Sequence, residues 1–164
     1  MKKQYSVKIS GRIDSGQIIH IPEDIEKNSY LEYIINSTGG DANAVIGMFD
    51  MLEARRKKQK IITIGVGTVE SAAFWLFISG DERCAYKNTK FMFHSAYITN
   101  PSSFNVLFKI FKQYIDFILN PMLRRVMKLT TKKDFKFWYN LFTNQEVFLS
   151  ARELKKLGIV TKIL

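Results

Sequence analysis

The chain has 164 residues, 46% of them hydrophobic and 24% charged, a balance that builds one core-bearing domain of ordinary size and excludes disordered and fibrous classes. The formal net charge is +10, and it is unevenly spread: residues 1–50 carry 5 basic and 7 acidic groups, residues 51–100 carry 8 and 4, and residues 101–164 carry 12 and 4. No stretch reaches the roughly 18 apolar residues of a membrane span, Met1-Lys2-Lys3 opens no secretory signal, and the single cysteine, Cys84, forms no internal disulfide, which suits a reducing cytoplasm.

Tyr5–Ser10 alternates as a strand does. Gly11–Asn28 is turn-rich, with a short helical turn expected at Pro22–Glu26. Leu31–Asn36 reads as a buried strand that ends in Ser37-Thr-Gly-Gly40. Asp41–Arg56 is helical, because Val45, Phe49 and Leu52 recur at i, i+4 and i+7. The run Arg55-Arg-Lys-Lys-Gln-Lys60 closes that helix, where cations oppose the negative end of the dipole. Ile61–Val66 is a second buried strand, broken by Gly67. Ser71–Ser79 is an apolar helix stopped at Gly80, Cys84 falls in an edge or turn region, and Lys90–His94 is a third strand.

Ser102–Leu119 is the longest helical pattern, apolar on two sides, which predicts a subunit interface. Pro121 interrupts it, and it resumes from Met122 to Lys128. Near the end, Ser150-Ala-Arg-Glu153 is a capping box, Gly158 supplies the helix stop, and Ile159–Leu164 forms a last strand. Strands alternating with helices predict a parallel sheet in an α/β architecture.

Two loops can carry chemistry. Gly39-Gly40 sits between a strand and a helix start, so it is either a tight turn that needs glycine or a cradle for negative charge. Ser71 stands between a strand and a helix, so it is either a cap or a nucleophile with the Ala72 N–H facing a developing oxyanion. A serine nucleophile needs a base, and the chain offers only His20 and His94. The basic C-terminal part reads either as a solvated face or as a surface for nucleic acid or anionic membrane, and no nucleic-acid motif accompanies it.

The combination is more specific than its parts. Ile34-Ile-Asn-Ser-Thr-Gly-Gly40, Gly67-Thr-Val-Glu-Ser-Ala-Ala73, Phe91-Met-Phe-His94 and Phe148–Val160 stand in the order seen in the ClpP family, the proteolytic subunit of the Clp ATP-dependent protease. Over about residues 30–164 the chain resembles a divergent member of it. The resemblance implies an α/β fold of the ClpP/crotonase type, built from repeated β-β-α units and shared with signal peptide peptidase A. It implies one peptidase domain over residues 1–164, with a handle-type helical region at about 102–128.

The implied activity is that of a serine endopeptidase acting on peptides or unfolded proteins inside an oligomeric chamber. Ser71 matches the nucleophile, His94 the general base, and Gly40 and Ala72 the two oxyanion-hole donors. Glu146, before Val147-Phe-Leu-Ser-Ala151, stands where the family usually has Asp; Asn144 is the other candidate for orienting the base. No metal or organic cofactor is implied. The implied partners are further copies, as a heptameric ring or double ring, and an AAA+ unfoldase.

The sequence departs from the family in three further places. Thr38 replaces a proline before Gly-Gly, Glu70 replaces a small residue before Ser71, and the family's axial-loop segment has no counterpart. The departures at Glu146 and Glu70 motivate a second reading, a catalytically weak or inactive assembly subunit. The charge motivates a third, a basic nucleic-acid or membrane binding module.

Overall fold

The structure is a computed structural model and describes residues 3–16, 29–94, 112–130, 133–143 and 146–164. His20, Asn144, the turn expected at Pro22–Glu26 and most of the helical pattern from Ser102 lie outside the described residues. The chain divides into two compact units, Met1–Met92 with Phe148–Leu164, and Phe93–Val147.

The first unit is an α/β layer. Its strands are β1 (Gln4–Ile13), β2 (Tyr30–Gly40), β3 (Lys60–Glu70), β4 (Glu82–Ala85) and β7 (Lys162–Ile163), adjacent in that order. β5 (Lys90–Phe93) pairs with β3 and with β6 (Val147–Ser150). All five strand pairings with a described register are parallel. The alternation seen in the sequence sets the faces: Leu31, Tyr33 and Ile35 of β2 are buried, and so are Ile61 and Thr63 of β3.

Helix α1 (Ala42–Arg55) follows β2 and buries Val45, Met48 and Leu52. Asp41 caps it, its carboxylate accepting from the Asn43 N–H at 2.8 Å and the Ala44 N–H at 3.4 Å. That start is therefore already capped by a carboxylate, and Gly39-Gly40 before it is a turn that requires glycine. At the other end the basic run is engaged internally. Arg56 pairs with Asp81 and with Glu53, and Lys60 with Glu82.

Helix α2 (Ala73–Ile78) is buried at every residue, as an all-apolar helix must be. Phe74 and Phe77 meet Phe91 of β5, with ring centroids 6.3 and 5.0 Å away. Cys84 is not in an edge or turn region. It lies in β4, flanked by β3 and β7, and is buried. Arg83 beside it is also buried, donating from Nε to the Ile159 carbonyl at 2.6 Å and from a terminal nitrogen to the Gly80 carbonyl at 2.9 Å. Together with the Asp81 carbonyl, 3.3 Å from the same terminal nitrogen, three carbonyls in reach offset the burial of that cation. The C-terminal helix α5 (Ala151–Lys156) has the expected reciprocal cap, Ser150 and Glu153 each bonding the other's backbone N–H. Gly158 follows it at φ 84°.

Two features of β3 position the site. The register with β2 jumps from Ile35↔Gly65 to Ser37↔Val69, so β3 carries two extra residues there. Gly67 absorbs the bulge at φ 63°, and the Asn36 Oδ1 accepts the Thr68 N–H at 3.2 Å in place of a ladder bond. The strand also changes partner. Ile62–Gly65 pair with β4, and Thr68–Glu70 pair with β5. At this fork the Gly65 carbonyl accepts from the Thr89 hydroxyl at 2.8 Å and the Tyr86 N–H at 3.1 Å.

The second unit is helical. A π-helical segment (Tyr114–Leu119) runs into α3 (Asn120–Leu129), which buries Met122, Leu123 and Val126. Pro121 does not interrupt this helix. It sits in the first turn of α3, where its missing N–H leaves no bond unmade, and the wider π turn precedes it. Helix α4 (Phe135–Thr143) buries Trp138 and Phe142, and Phe142 meets Phe93 at 5.4 Å between ring centroids. Among the described residues no helix is long and apolar enough to cross a membrane.

Candidate active site

Ser71 follows β3 directly and precedes α2. Its N–H donates to the Met92 carbonyl of the neighbouring strand β5 at 2.8 Å, and its own carbonyl accepts from the Phe74 N–H at 3.1 Å. The backbone thus passes from strand to helix within one residue, and Ser71 takes φ 51° to do so. No other non-glycine described residue has positive φ. For an L-residue such a conformation costs of order 1–3 kcal/mol, and it persists where the surroundings force it, often at functional sites. The N-cap of α2 is Ala72, without a side-chain cap bond. The Ser71 hydroxyl makes no hydrogen bond among the described residues. It is not a helix cap, and its oxygen is available for chemistry.

The end of β2 seats this turn. An added Cβ on Gly39, which has φ 81°, would lie 2.7 Å from the Glu70 carbonyl oxygen and 2.9 Å from both the Ala72 nitrogen and the Ser71 Cβ. Only glycine allows the two strand ends to meet this closely. Gly40 is equally constrained from the other side, because a Cβ there would overlap the Ile13 carbonyl. Ser37 fixes the loop between them. Its hydroxyl donates to the Gly11 carbonyl at 2.6 Å and accepts the Gly39 N–H at 3.1 Å. Gly39-Gly40, Ser71 and Ala72 are therefore brought together at the carboxyl edge of the sheet, where ligands bind in open α/β folds.

His94 and Glu146 belong to the second unit. His94 is half-buried and stands immediately after β5. Glu146 is exposed, stands just before β6, and makes no hydrogen bond or ion pair among the described residues. Sequence reasoning marked Gly39 through the doubled glycine but passed over Asn36 and Ser37 as working parts; these two polar side chains carried no signal beyond their place in the Asn-Ser-x-Gly-Gly run. Among the described residues no group of three His, Cys, Asp or Glu is placed to hold a metal ion.

A parallel sheet whose carboxyl edge presents paired glycines and a strained serine on a strand-to-helix turn is an arrangement that many hydrolases share. The Clp protease family model matches residues 3–164, and the chain belongs to that family of peptidases, in keeping with its parallel α/β sheet. It is similar to the ATP-dependent Clp protease proteolytic subunit 2 of Borreliella burgdorferi, with 25% identity over 176 residues that cover 98% of this chain and 83% of that protein.

Proposed function

We propose that the chain is a serine endopeptidase in which Ser71 attacks the peptide carbonyl. The observation that carries this reading is the left-handed Ser71 with an unengaged hydroxyl, held between β3 and α2 against Gly39. His94 takes the hydroxyl proton and returns it to the leaving amine, since imidazole titrates near neutral pH. The N–H groups of Gly40 and Ala72 stabilise the oxyanion, a donor of this kind being worth roughly 2.7–4 kcal/mol. Glu146 orients His94, which requires the exposed carboxylate to swing onto the imidazole, a bond that catalytic groups often complete only with substrate bound.

The same unengaged carboxylate supports a second reading, a weakly active or silent subunit that keeps the fold. In assembly the chain forms a ring of copies, with residues 102–128 as the handle region. It works with an ATP-driven unfoldase, by likeness to the relative named as ATP-dependent. Its substrates are peptides or unfolded proteins. The buried free thiol of Cys84 fits a reducing cytoplasm. The basic binding module, which rests on the charge of residues 101–164, has less support, because no nucleic-acid motif accompanies that charge.

The test is labelling with a fluorophosphonate serine-hydrolase probe, wild type beside Ser71→Ala and Glu146→Ala. Labelling that disappears in Ser71→Ala supports the nucleophile, and its loss in Glu146→Ala supports the orienter. No labelling of folded, assembled protein removes the active reading and leaves the silent one.

A further inference from the structure

Glu70 is the part of the site that the proposed chemistry leaves unused. It stands immediately before Ser71, one Cα–Cα step of about 3.8 Å away. It is half-buried, and its carboxylate is held in place, because the Thr68 hydroxyl donates to Oε1. Thr68 is in turn tied to β2 by the Asn36 side chain, 3.2 Å from its N–H. Among the described residues no lysine or arginine lies within ion-pair distance of Glu70. Lys90 stands opposite Thr68 in register, yet it is exposed and makes no such pair.

An uncompensated carboxylate beside an attacking serine is a liability. Negative charge gathers on the substrate carbonyl oxygen as the bond forms, and a fixed anion nearby opposes it. The opposition falls on every neutral or acidic substrate. A cationic substrate side chain reverses the sign, since it neutralises Glu70 and gains a charge-assisted hydrogen bond from it.

We propose that Glu70 selects the substrate: peptides carrying lysine or arginine next to the scissile bond are cleaved in preference to neutral ones. This rests on the reading of Ser71 as nucleophile. It makes Glu70 a specificity residue that contacts the substrate side chain.

The test uses assembled wild type, Glu70→Gln and Ser71→Ala with internally quenched peptides. One pair differs only by lysine against Nε-acetyl-lysine on the acyl side of the bond, and a second pair differs likewise on the leaving side. Glutamine keeps the shape and the bond from Thr68 while removing the charge. In the wild type kcat/KM favours lysine by about tenfold or more in one of the pairs, as for a hydrogen bond to a charged group. In Glu70→Gln that ratio falls to near one and the acetyl-lysine peptide is cut faster than by wild type. A ratio near one for both pairs in the wild type overturns the proposal, as does a lysine preference that survives in Glu70→Gln. Fluorophosphonate labelling of the same preparations separates the two ideas. Labelled Ser71 with flat ratios removes the role of Glu70 alone, whereas folded protein with neither labelling nor cleavage removes the nucleophile and this proposal together.

Discussion

Replacing Gly39 by alanine tests whether the end of β2 seats the serine turn. Two costs add. The backbone holds φ 81° at this position, a conformation that costs an L-residue about 1–2 kcal/mol. The new methyl would lie 2.7 Å from the Glu70 carbonyl oxygen and 2.9 Å from the Ala72 nitrogen, and backbone on both sides leaves it no flexible neighbour to displace. Overpacking of this kind costs about 1–3 kcal/mol, so the sum is about 2–5 kcal/mol.

Gly47→Ala is the matched control. It lies inside α1 with nothing within 4 Å of its added Cβ, and it should gain about 1 kcal/mol through helix propensity. The assay is thermal and denaturant unfolding of wild type and both variants at one protein concentration. For a chain of this size the alanine at 39 should lower Tm by roughly 5–15 °C and the alanine at 47 should raise it by a few degrees. Where Gly39→Ala still folds, fluorophosphonate labelling should slow, because the methyl pushes directly on Ser71. A Gly39→Ala protein that melts and labels as wild type does would refute the argument that this contact positions the nucleophile.

Four further expectations follow from other parts of the molecule. Arg83→Met should cost about 2–4 kcal/mol, because it strands buried carbonyls that the guanidinium now satisfies; unfolding midpoints at equal m-value report it, and a change under about 0.5 kcal/mol would contradict the role given to Arg83. Ser150→Ala should cost about 1 kcal/mol through the lost cap. Bonds from the Ser150 N–H and then its hydroxyl hold the Glu153 carboxyl below its ordinary 4.5. A folded value below the unfolded one means that this stabilisation is present above pH 4.5 and fades as acid protonates the carboxylate, so the gap between wild type and Glu153→Ala should narrow below that pH; a gap independent of pH would be inconsistent with it. Burial, and next the nearby Glu82, hold the Cys84 thiol above its usual range, so an aromatic disulfide reagent should react with it only as fast as the protein opens; immediate stoichiometric reaction at pH 8 would show an exposed thiol instead.

The sequence was most legible where structure is local. The Ser150–Glu153 box is written within four residues and is found as read. The strands at Leu31 and Ile61 were visible as apolar runs. What failed were boundaries decided by distant partners. Gly67 reads as a strand breaker, yet β3 continues through it to Glu70, because Asn36 from β2 substitutes for the missing ladder bond. β4, β6 and α4 went unread. The strands β4 and β6 are each four residues long, too short for a period to show, and β4 gains its identity from β3 and β7 on either side. Ser71 was legible as a residue, but its strained φ was not, since that conformation is imposed by Met92 and Gly39 rather than by its neighbours in sequence.

The order in which the first unit is assembled has a consequence for biosynthesis. Residues 93–147 form a separate unit spliced between β5 and the segment that completes the sheet. β7 zips onto β4 from a point 78 residues downstream, and the Ile159 carbonyl that receives the Arg83 guanidinium arrives with it. A ribosome that has released only the first ninety-odd residues exposes an open β4 edge and a buried cation lacking one of its acceptors. The sheet carrying Ser71 is thus held incomplete until the last strand emerges. The turn that holds Ser71 rests on Gly39 and Met92, both already made by then, so what waits for residues 159–163 is the closing of the β4 edge and the last acceptor of Arg83.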